Sequence, residues 1–310
     1  MKGKHTLGRL ISILSTSIFA LGLIPIGIAQ AENSATPGPA PEVCMGCHAD
    51  KYETFMKSPH SAKGDPRSPA SKGGCVACHG DGMAHVQAGG GRGVGGIINP
   101  ISKNLTSDAK NGICLTCHKG GHRMNWEGSQ HQAAGVACVN CHTMHQGKDK
   151  VRDNKTQPEV CFTCHKDKRA EILKQSHHPI KEGKVICSDC HNPHGSPGGP
   201  HNLVKATLNE VCYQCHADKR GPFLWEHPPA REECTNCHVP HGSLHTPLLK
   251  ARAPWLCQEC HSANSHPSTA YTGTGIPPNG ATQQLLANSC MNCHPMVHGS
   301  NHPSGARFTR

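Results

Sequence analysis

Apolar residues are concentrated in one run near the amino terminus. Residues 10–29 read LISILSTSIFALGLIPIGIA and follow basic residues at positions 2, 4 and 9. A basic start, an apolar run and the small-residue exit at 29–31 are typical of a cleaved secretory signal peptide. The run is also about 20 residues long, as an uncleaved membrane anchor requires, but Pro25 and the small exit residues favour cleavage. We therefore predict a signal peptide at 1–31, a linker at 32–43 and an exported domain at 44–310.

Beyond residue 43 the apolar positions are scattered, and no run reaches membrane-spanning length. The chain has 34 glycines and 24 prolines, which leave few windows for a helix longer than two or three turns. The spacing Cys-x-x-Cys-His recurs along the chain, and it places three side chains on one face of a helical turn. The pattern predicts short helices and loops, with the cysteine motifs on the helices.

All twenty cysteines belong to ten copies of Cys-x-x-Cys-His, and none is left over. This motif attaches c-type haem: two thiols bond to the porphyrin, and the histidine binds the iron from one side. Disulfide scaffolds and zinc knuckles also use paired cysteines, but neither needs a histidine after every pair. The predicted attachment residues are Cys44, Cys47, Cys75, Cys78, Cys114, Cys117, Cys138, Cys141, Cys161, Cys164, Cys187, Cys190, Cys212, Cys215, Cys234, Cys237, Cys257, Cys260, Cys290 and Cys293. The predicted proximal iron ligands are His48, His79, His118, His142, His165, His191, His216, His238, His261 and His294.

The composition indicates that covalently bound haem supplies the core. Hydrophobic residues make up 35% of the chain and aromatic residues 4%, below the roughly 45–50% apolar content of an ordinary globular domain. Such a chain buries too little apolar surface to offset its conformational entropy, so we expect the haem-free chain to be unfolded. The formal charge of +10 includes three charges in the signal peptide, and haem propionates would pair with many of the others. No basic stripe is interleaved with aromatic residues, so nucleic-acid binding is not expected.

Histidines outside the motifs recur in a regular order. One group follows a motif histidine by three or four residues: His145, His194, His241 and His298. A second group lies 11 to 13 residues after one motif histidine and before the next motif: His60, His131, His178 and His227. This order predicts an array of five two-haem modules, looser at both ends. The modules start at Cys44, Cys114, Cys161, Cys212 and Cys257.

These histidines are candidates for the second axial position of each iron. A histidine just after a motif histidine lies on the same side of that haem, so we expect it to bind the iron of the next haem. Candidates outnumber positions, so some must make only hydrogen bonds, and methionine remains an alternative ligand. We expect distal ligation by His60, His85, His131, His145, His178, His194, His227, His241, His266 and His298. We expect no ligation by His122, His177, His201, His245 and His302. Because histidines suffice to fill every position, electron transfer is favoured over catalysis at an open iron.

Several stretches closely resemble the MtrA/DmsE family of decahaem cytochromes. They are CYQCHADKRGPFLWEH at 212–227, CHxPHGS at 190–196 and 237–243, LLKARAPWLCQECH at 248–261 and VHGSNHPSG at 297–305. The resemblance covers nearly all of the chain after the signal peptide and is most specific from residue 105 onward. It implies the same ten distal ligands and an elongated, nearly linear chain of ten haems with little regular secondary structure.

The resemblance also implies partners and a location. Members of this family sit in the periplasm at the outer membrane, inside a large β-barrel porin, commonly with an extracellular multihaem cytochrome outside. Electrons would pass between periplasmic cytochromes, or a quinol-oxidising inner-membrane cytochrome, and an external acceptor or donor, as in metal reduction or Fe(II) oxidation. Two alternatives remain open at this point: a periplasmic shuttle that feeds a terminal reductase, and a multihaem reductase.

Overall fold

The computed structural model describes residues 38–197, 200–261 and 290–309. The predicted signal peptide, the first half of the linker and the candidate ligand His266 lie outside the described residues. Short helices and loops make up the described ranges, as the glycine and proline content predicts. The longest helix there, Ser107–Leu115, has nine residues, which is about two and a half turns. No helix in these ranges has both the length and the apolar character needed to cross a bilayer.

The helices are distributed along the whole of the described chain. In chain order the α-helices, α1 to α13, are Pro41–Met45, Ala49–Met56, Val76–His79, Met83–Gln87, Ser107–Leu115, Gln130–Ala133, Cys138–Cys141, Gln157–Phe162, Lys166–Glu171, Cys187–Cys190, Leu208–Cys212, Pro228–Glu232 and Ala253–Gln258. The 3-10 turns are Pro59–Ser61, Pro69–Lys72, Val94–Gly96, Gly121–Arg123, Lys150–Arg152, Pro200–Asn202, Ala217–Lys219, Cys234–Asn236 and Cys290–Asn292. Strands β1 (Ser176–His177) and β2 (Gly242–Ser243) pair antiparallel.

Every cysteine motif forms one helical turn. In all ten motifs the histidine N–H donates to the carbonyl of the first cysteine, at 2.8–3.0 Å. Odd-numbered motifs, counted along the chain, come at the carboxyl end of a helix, as Cys114 does in α5. Even-numbered motifs come at the beginning of one, as Cys138 does in α7 and Cys187 in α10. The helices predicted at the motifs are therefore present, although most of them cover only part of the motif.

Local sequence explains where several helices begin. The side chain of Thr106 caps α5, because its Oγ1 atom accepts from the N–H of Ala109 at 3.2 Å. Thr207 and Glu210 form a capping box at the start of α11. Pro158 occupies the first turn of α8, where a missing N–H costs nothing. Capping residues and a first-turn proline therefore determine where these helices begin.

The apolar core of the described residues is small. The buried hydrophobic side chains are Trp126, Ala137, Phe162, Ile172, Val211 and Leu249. Many other large apolar side chains are exposed, with Ile101 exposed to 73% and Leu244 to 70%. Protein side chains alone therefore bury little apolar surface, which supports the expectation that cofactors form the core.

Candidate haem-binding sites

The ten motifs define sites 1 to 10 in chain order, from Cys44–His48 to Cys290–His294. All twenty cysteines lie in the described ranges. The described residues hold no cluster of three or more histidine, cysteine or acidic side chains arranged to bind a metal ion directly. Each site supplies two thiols and one histidine within a single helical turn.

Among the described residues, the motif histidine faces one histidine from a distant part of the chain at nine sites. The ring centres are 6.0–6.4 Å apart in every pair. From site 1 to site 9 the pairs are His48–His85, His79–His145, His118–His60, His142–His194, His165–His131, His191–His241, His216–His178, His238–His298 and His261–His227. All nine partners belong to the predicted distal set.

The gap within each pair has the size of one bis-histidine iron. An imidazole nitrogen binds a metal at about 2 Å and its ring centre lies about 1 Å behind, so two imidazoles on opposite sides of one iron have centres about 6 Å apart. Two buried ring nitrogens, Trp126 Nε1 and His194 Nδ1, have no hydrogen-bond partner among the described residues. Haem propionates are acceptors of the kind that such N–H groups need. The residues present therefore fit haem.

At sites 2, 4, 6 and 8 the partner follows a motif two places further along the chain. His194, just after site 6, pairs with His142 of site 4. We expected such a histidine to serve the next haem, but the structure skips one motif. The reason is that the loop after site 6 turns back onto the preceding module, where the Pro193 carbonyl lies 2.7 Å from Nδ1 of His131.

The glycine after the paired histidine permits this close return of the loop. A Cβ atom on Gly195 would overlap the carbonyl oxygen of Asn125, and one on Gly242 would overlap the carbonyl oxygen of Glu171. Only glycine fits where two backbones approach so closely. This packing accounts for the recurring sequence His-Gly-Ser, because the loop must lie flat on the earlier module for its histidine to reach the site.

Sites 3, 5, 7 and 9 take their partner from the module before. His131 lies ahead of site 4 but pairs with His165 of site 5, and His178 lies ahead of site 6 but pairs with His216 of site 7. Each interior module therefore supplies one histidine to a site of the following module and one to a site of the preceding module, so that neighbouring modules interlock. Site 1 has no module before it and pairs with His85 from its own module.

Backbone carbonyls orient many of the paired imidazoles through Nδ1. The Nδ1–O distances are 2.7–3.0 Å for His79, His85, His131, His191, His227 and His238. An imidazole that donates from Nδ1 keeps the lone pair of Nε2 for a metal. Burial lowers the pKa of His194 to about 4. Burial likewise lowers the pKa values of His60, His118, His145, His227, His238, His241 and His298, which favours the neutral form that binds metals.

His177 shows how a neighbouring histidine is used differently. Its Nδ1 atom lies 2.7 Å from the carbonyl of Lys174 and its Nε2 atom 3.3 Å from the carboxylate of Glu182. Both ring nitrogens therefore have partners, whereas the adjacent His178 points to His216. None of the five histidines expected not to bind iron forms a 6 Å pair with a motif histidine among the described residues.

Interactions between cysteine thiols indicate that consecutive sites lie near one another. Within a module the first cysteines of the two motifs interact: a hydrogen bond with Cys114 lowers the pKa of Cys138 to about 7. The equivalent pairs are Cys44–Cys75, Cys161–Cys187, Cys212–Cys234 and Cys257–Cys290. Between modules, burial raises the pKa of Cys78, and the nearby thiol of Cys117 in the next motif raises it further. The other junction pairs are Cys141–Cys164, Cys190–Cys215 and Cys237–Cys260. The sites therefore adjoin one another in chain order.

Buried amides, which were not among the residues predicted from the sequence, hold the two motifs of a module together. Asn111 accepts from the N–H of Cys138 at 2.7 Å and donates to the Val136 carbonyl at 3.2 Å. Asn209 accepts from the N–H of Cys234 at 2.8 Å. Gln157 plays a similar part between sites 5 and 6. The only signal in the sequence is an amide residue three or four positions before an odd-numbered motif.

The fold and the attachment motifs define a multihaem c-type cytochrome, and haem c in such proteins transfers electrons. The family model for the doubled CXXCH motif matches residues 177–221 and 227–266, and that of the NrfB-like cytochrome c-type proteins matches 75–159. The multiheme cytochrome MtrA of Shewanella baltica (strain OS185) is 44% identical over 284 residues, which cover 90% of this chain and 84% of the relative. The chain belongs to the MtrA family of multihaem cytochromes, which confirms the resemblance seen in the sequence.

The relative orientation of paired rings predicts two classes of low-spin iron. The ring planes are 10–25° apart at sites 1, 2, 4, 6, 8 and 9, but 56–62° apart at sites 3, 5 and 7. Near-parallel imidazoles separate the iron d orbitals strongly, whereas crossed imidazoles leave them nearly degenerate. Electron paramagnetic resonance (EPR) of the oxidised protein should therefore show rhombic signals from the first group and large-g signals from the second. A spectrum of one class alone would contradict this expectation.

Proposed function

We propose that this protein conducts electrons through ten bis-histidine haems, one at each motif, in the order of sites 1 to 10. The observation that carries the proposal is the recurrence of one 6 Å imidazole gap at nine motifs. Bound haem supplies the one-electron chemistry at each site. The protein supplies two axial imidazoles, two attachment thiols and the spacing between sites. With both axial positions filled, no substrate binds iron, so we infer a carrier without catalytic activity of its own.

The tenth site completes the ligand scheme. His294 carries the motif of site 10, and its Nδ1 atom lies 2.5 Å from the Arg307 carbonyl. Site 10 belongs to the last of the five predicted modules and site 1 to the first, and site 1 takes its partner from its own module. We infer that His266, the one predicted distal ligand left after nine pairs, serves site 10 from within its own module. The array would then have five modules that interlock in the interior and close on themselves at both ends.

The sequential order of sites suits a relay along a line. Each site from 2 to 9 lies next to the one before and the one after, as the interactions between their cysteines indicate, so the porphyrins attached there would have neighbours on two sides. An electron that enters at one end can then leave at the other without diffusion of the protein. The closeness of neighbouring attachment points supports fast transfer, because tunnelling weakens steeply with distance.

We infer that this relay crosses the outer membrane inside a β-barrel porin. A signal peptide at 1–31 would export the chain to the periplasm. Loops rich in backbone polar groups cannot face lipid, so a barrel must surround the chain wherever it enters the membrane. Membership of the MtrA family supports this arrangement. Periplasmic or quinol-oxidising inner-membrane cytochromes would be the partners at one end, and an extracellular cytochrome, metal or other acceptor would be the partner at the other.

Cell fractionation tests the conduit against a diffusing shuttle. A conduit should remain with the outer membrane after osmotic shock and co-purify in mild detergent with a β-barrel protein. Because a barrel holds it by protein contacts, removal of that barrel gene should release the haem-stained band into the periplasmic fraction. Complete release of the cytochrome from unmodified cells by osmotic shock would instead support a periplasmic shuttle.

A further inference from the structure

One motif histidine differs from its equivalents in what holds its Nδ1 atom. At four of the five even-numbered sites this atom faces a backbone carbonyl, and those histidines are His79, His191, His238 and His294. At site 4 the Nδ1 atom of His142 lies 2.6 Å from Oδ2 of Asp149. The backbone N–H of Thr143, 3.3 Å from Oδ1, helps to hold the carboxylate in place.

The Asp149 carboxylate is largely shielded from solvent, and no lysine or arginine of the described residues is paired with it, although Lys148 and Lys150 flank it in the sequence. Its side chain is 14% exposed. Within the described part of the chain it forms no ion pair with lysine or arginine. A carboxylate in such surroundings acts through a lower effective dielectric than water, so its neighbour feels it more strongly. Its direct neighbour is the His142 imidazole.

A second carboxylate offers a comparison within the same molecule. At site 6, Oε2 of Glu171 lies 3.2 Å from Nδ1 of His241. The other oxygen of Glu171 accepts from Nζ of Lys168 at 2.8 Å. The contact with the imidazole is longer, and the ammonium offsets part of the negative charge. Glu171 should therefore influence its histidine less than Asp149 does.

We propose that Asp149 is a positioning residue that makes site 4 the most reducing site of the array. The inference rests on the ligation of site 4 by His142 and His194 proposed above. A carboxylate that accepts the Nδ1 proton makes the imidazole a stronger donor, and this favours ferric over ferrous iron. Because site 4 lies between sites 3 and 5, electrons passing in either direction meet this step.

The variant Asp149→Asn tests the proposal in the haem-loaded protein. Asparagine keeps the size and one oxygen acceptor but removes the charge, and it gives up only the long contact with Thr143. In a potentiometric titration followed at the ferrous haem absorbance, the most negative component, equal to one haem, should move to a more positive potential. The rest of the curve should stay in place. Asp149→Glu, which keeps a carboxylate, should retain the negative component.

Asp153→Asn is the matched control, because it makes the same change of charge four residues away. The Asp153 carboxylate accepts from the N–H of Lys155 at 2.9 Å and contacts no histidine. Its titration curve should match that of the unmodified protein, and Glu171→Gln should give a smaller shift than Asp149→Asn. The role of Asp149 would be overturned if the most negative component of the titration kept its potential in Asp149→Asn, or if it shifted equally in Asp153→Asn.

EPR spectra separate this inference from the proposed function. High-spin iron in the unmodified protein would refute full bis-histidine ligation, whereas low-spin iron throughout with an unmoved potential in the variant refutes only the role of Asp149. Should Asp149→Asn lose haem, Asp149→Ser removes the same charge with a smaller side chain. A retained negative component in Asp149→Ser would equally overturn the inference.

Discussion

Alanine at position 178 should leave one haem iron with a single axial ligand. His178 faces His216 of site 7, with 6.3 Å between ring centres. Ferric haem bound by one imidazole is high-spin, whereas bis-histidine haem is low-spin. The oxidised variant should therefore show a high-spin EPR signal of about one haem equivalent, given ten motifs. Added imidazole should fill the empty position and restore the low-spin spectrum.

The adjacent histidine provides the matched control for this experiment. In His177→Ala the change is identical and one residue away, but the lost ring contacts Lys174 and Glu182 rather than another imidazole. All haems should then remain low-spin. Equal high-spin signals in the two variants would point to general loosening of the chain. A fully low-spin His178→Ala protein would show that His178 is not a ligand.

Preventing haem attachment should abolish the fold. The described residues bury only a few apolar side chains, among them Trp126, Phe162 and Leu249, and these lie in different modules. Such isolated contacts cannot offset the entropy lost when the backbone is ordered. The chain produced without haem should have the far-ultraviolet circular dichroism of a disordered polypeptide and no cooperative thermal transition, whereas the loaded protein should show one.

Gel filtration tests the prediction that the haem-free chain is unfolded through a second property, the size of the chain. An unfolded chain of this length is far more expanded than a folded one, so the haem-free protein should elute much earlier than the loaded protein in gel filtration. The loaded protein in denaturant serves as the reference for an expanded chain. Cooperative melting of the haem-free chain, or elution at the position of the loaded protein, would contradict the view that haem forms the core.

Much of the architecture could be predicted because c-type haem attachment is a local chemical requirement. Two thiols and an imidazole must lie within one helical turn, so the motif appears intact in the sequence, and ten copies predict the class of protein. Three of the partner histidines, His194, His241 and His298, also carry a local mark, the His-Gly-Ser triplet. The glycine and proline content also predicted few and short helices, and no helix in the described ranges is longer than the nine residues of α5.

The pairing of histidines could not be predicted, because it depends on how distant segments approach one another. The paired residues are 34 to 66 positions apart in the chain. The spacing predicted that His194 serves the next haem along the chain, whereas the structure pairs His194 with His142 of site 4. That choice depends on backbone contacts between modules, such as the approach of Gly195 to Asn125, and a spacing rule contains no information about them.

The sequence by itself determined the attachment thiols, the motif histidines and the pool from which their partners come, because these follow from bonds that haem forms with particular side chains. Only the tertiary structure decided which histidine meets which, in what order the sites adjoin, and that a carboxylate, Asp149, faces His142 where the equivalent histidines meet carbonyls. The physical reason is range. Attachment acts over one helical turn, whereas pairing and tuning depend on contacts between modules and loops that fold back onto one another.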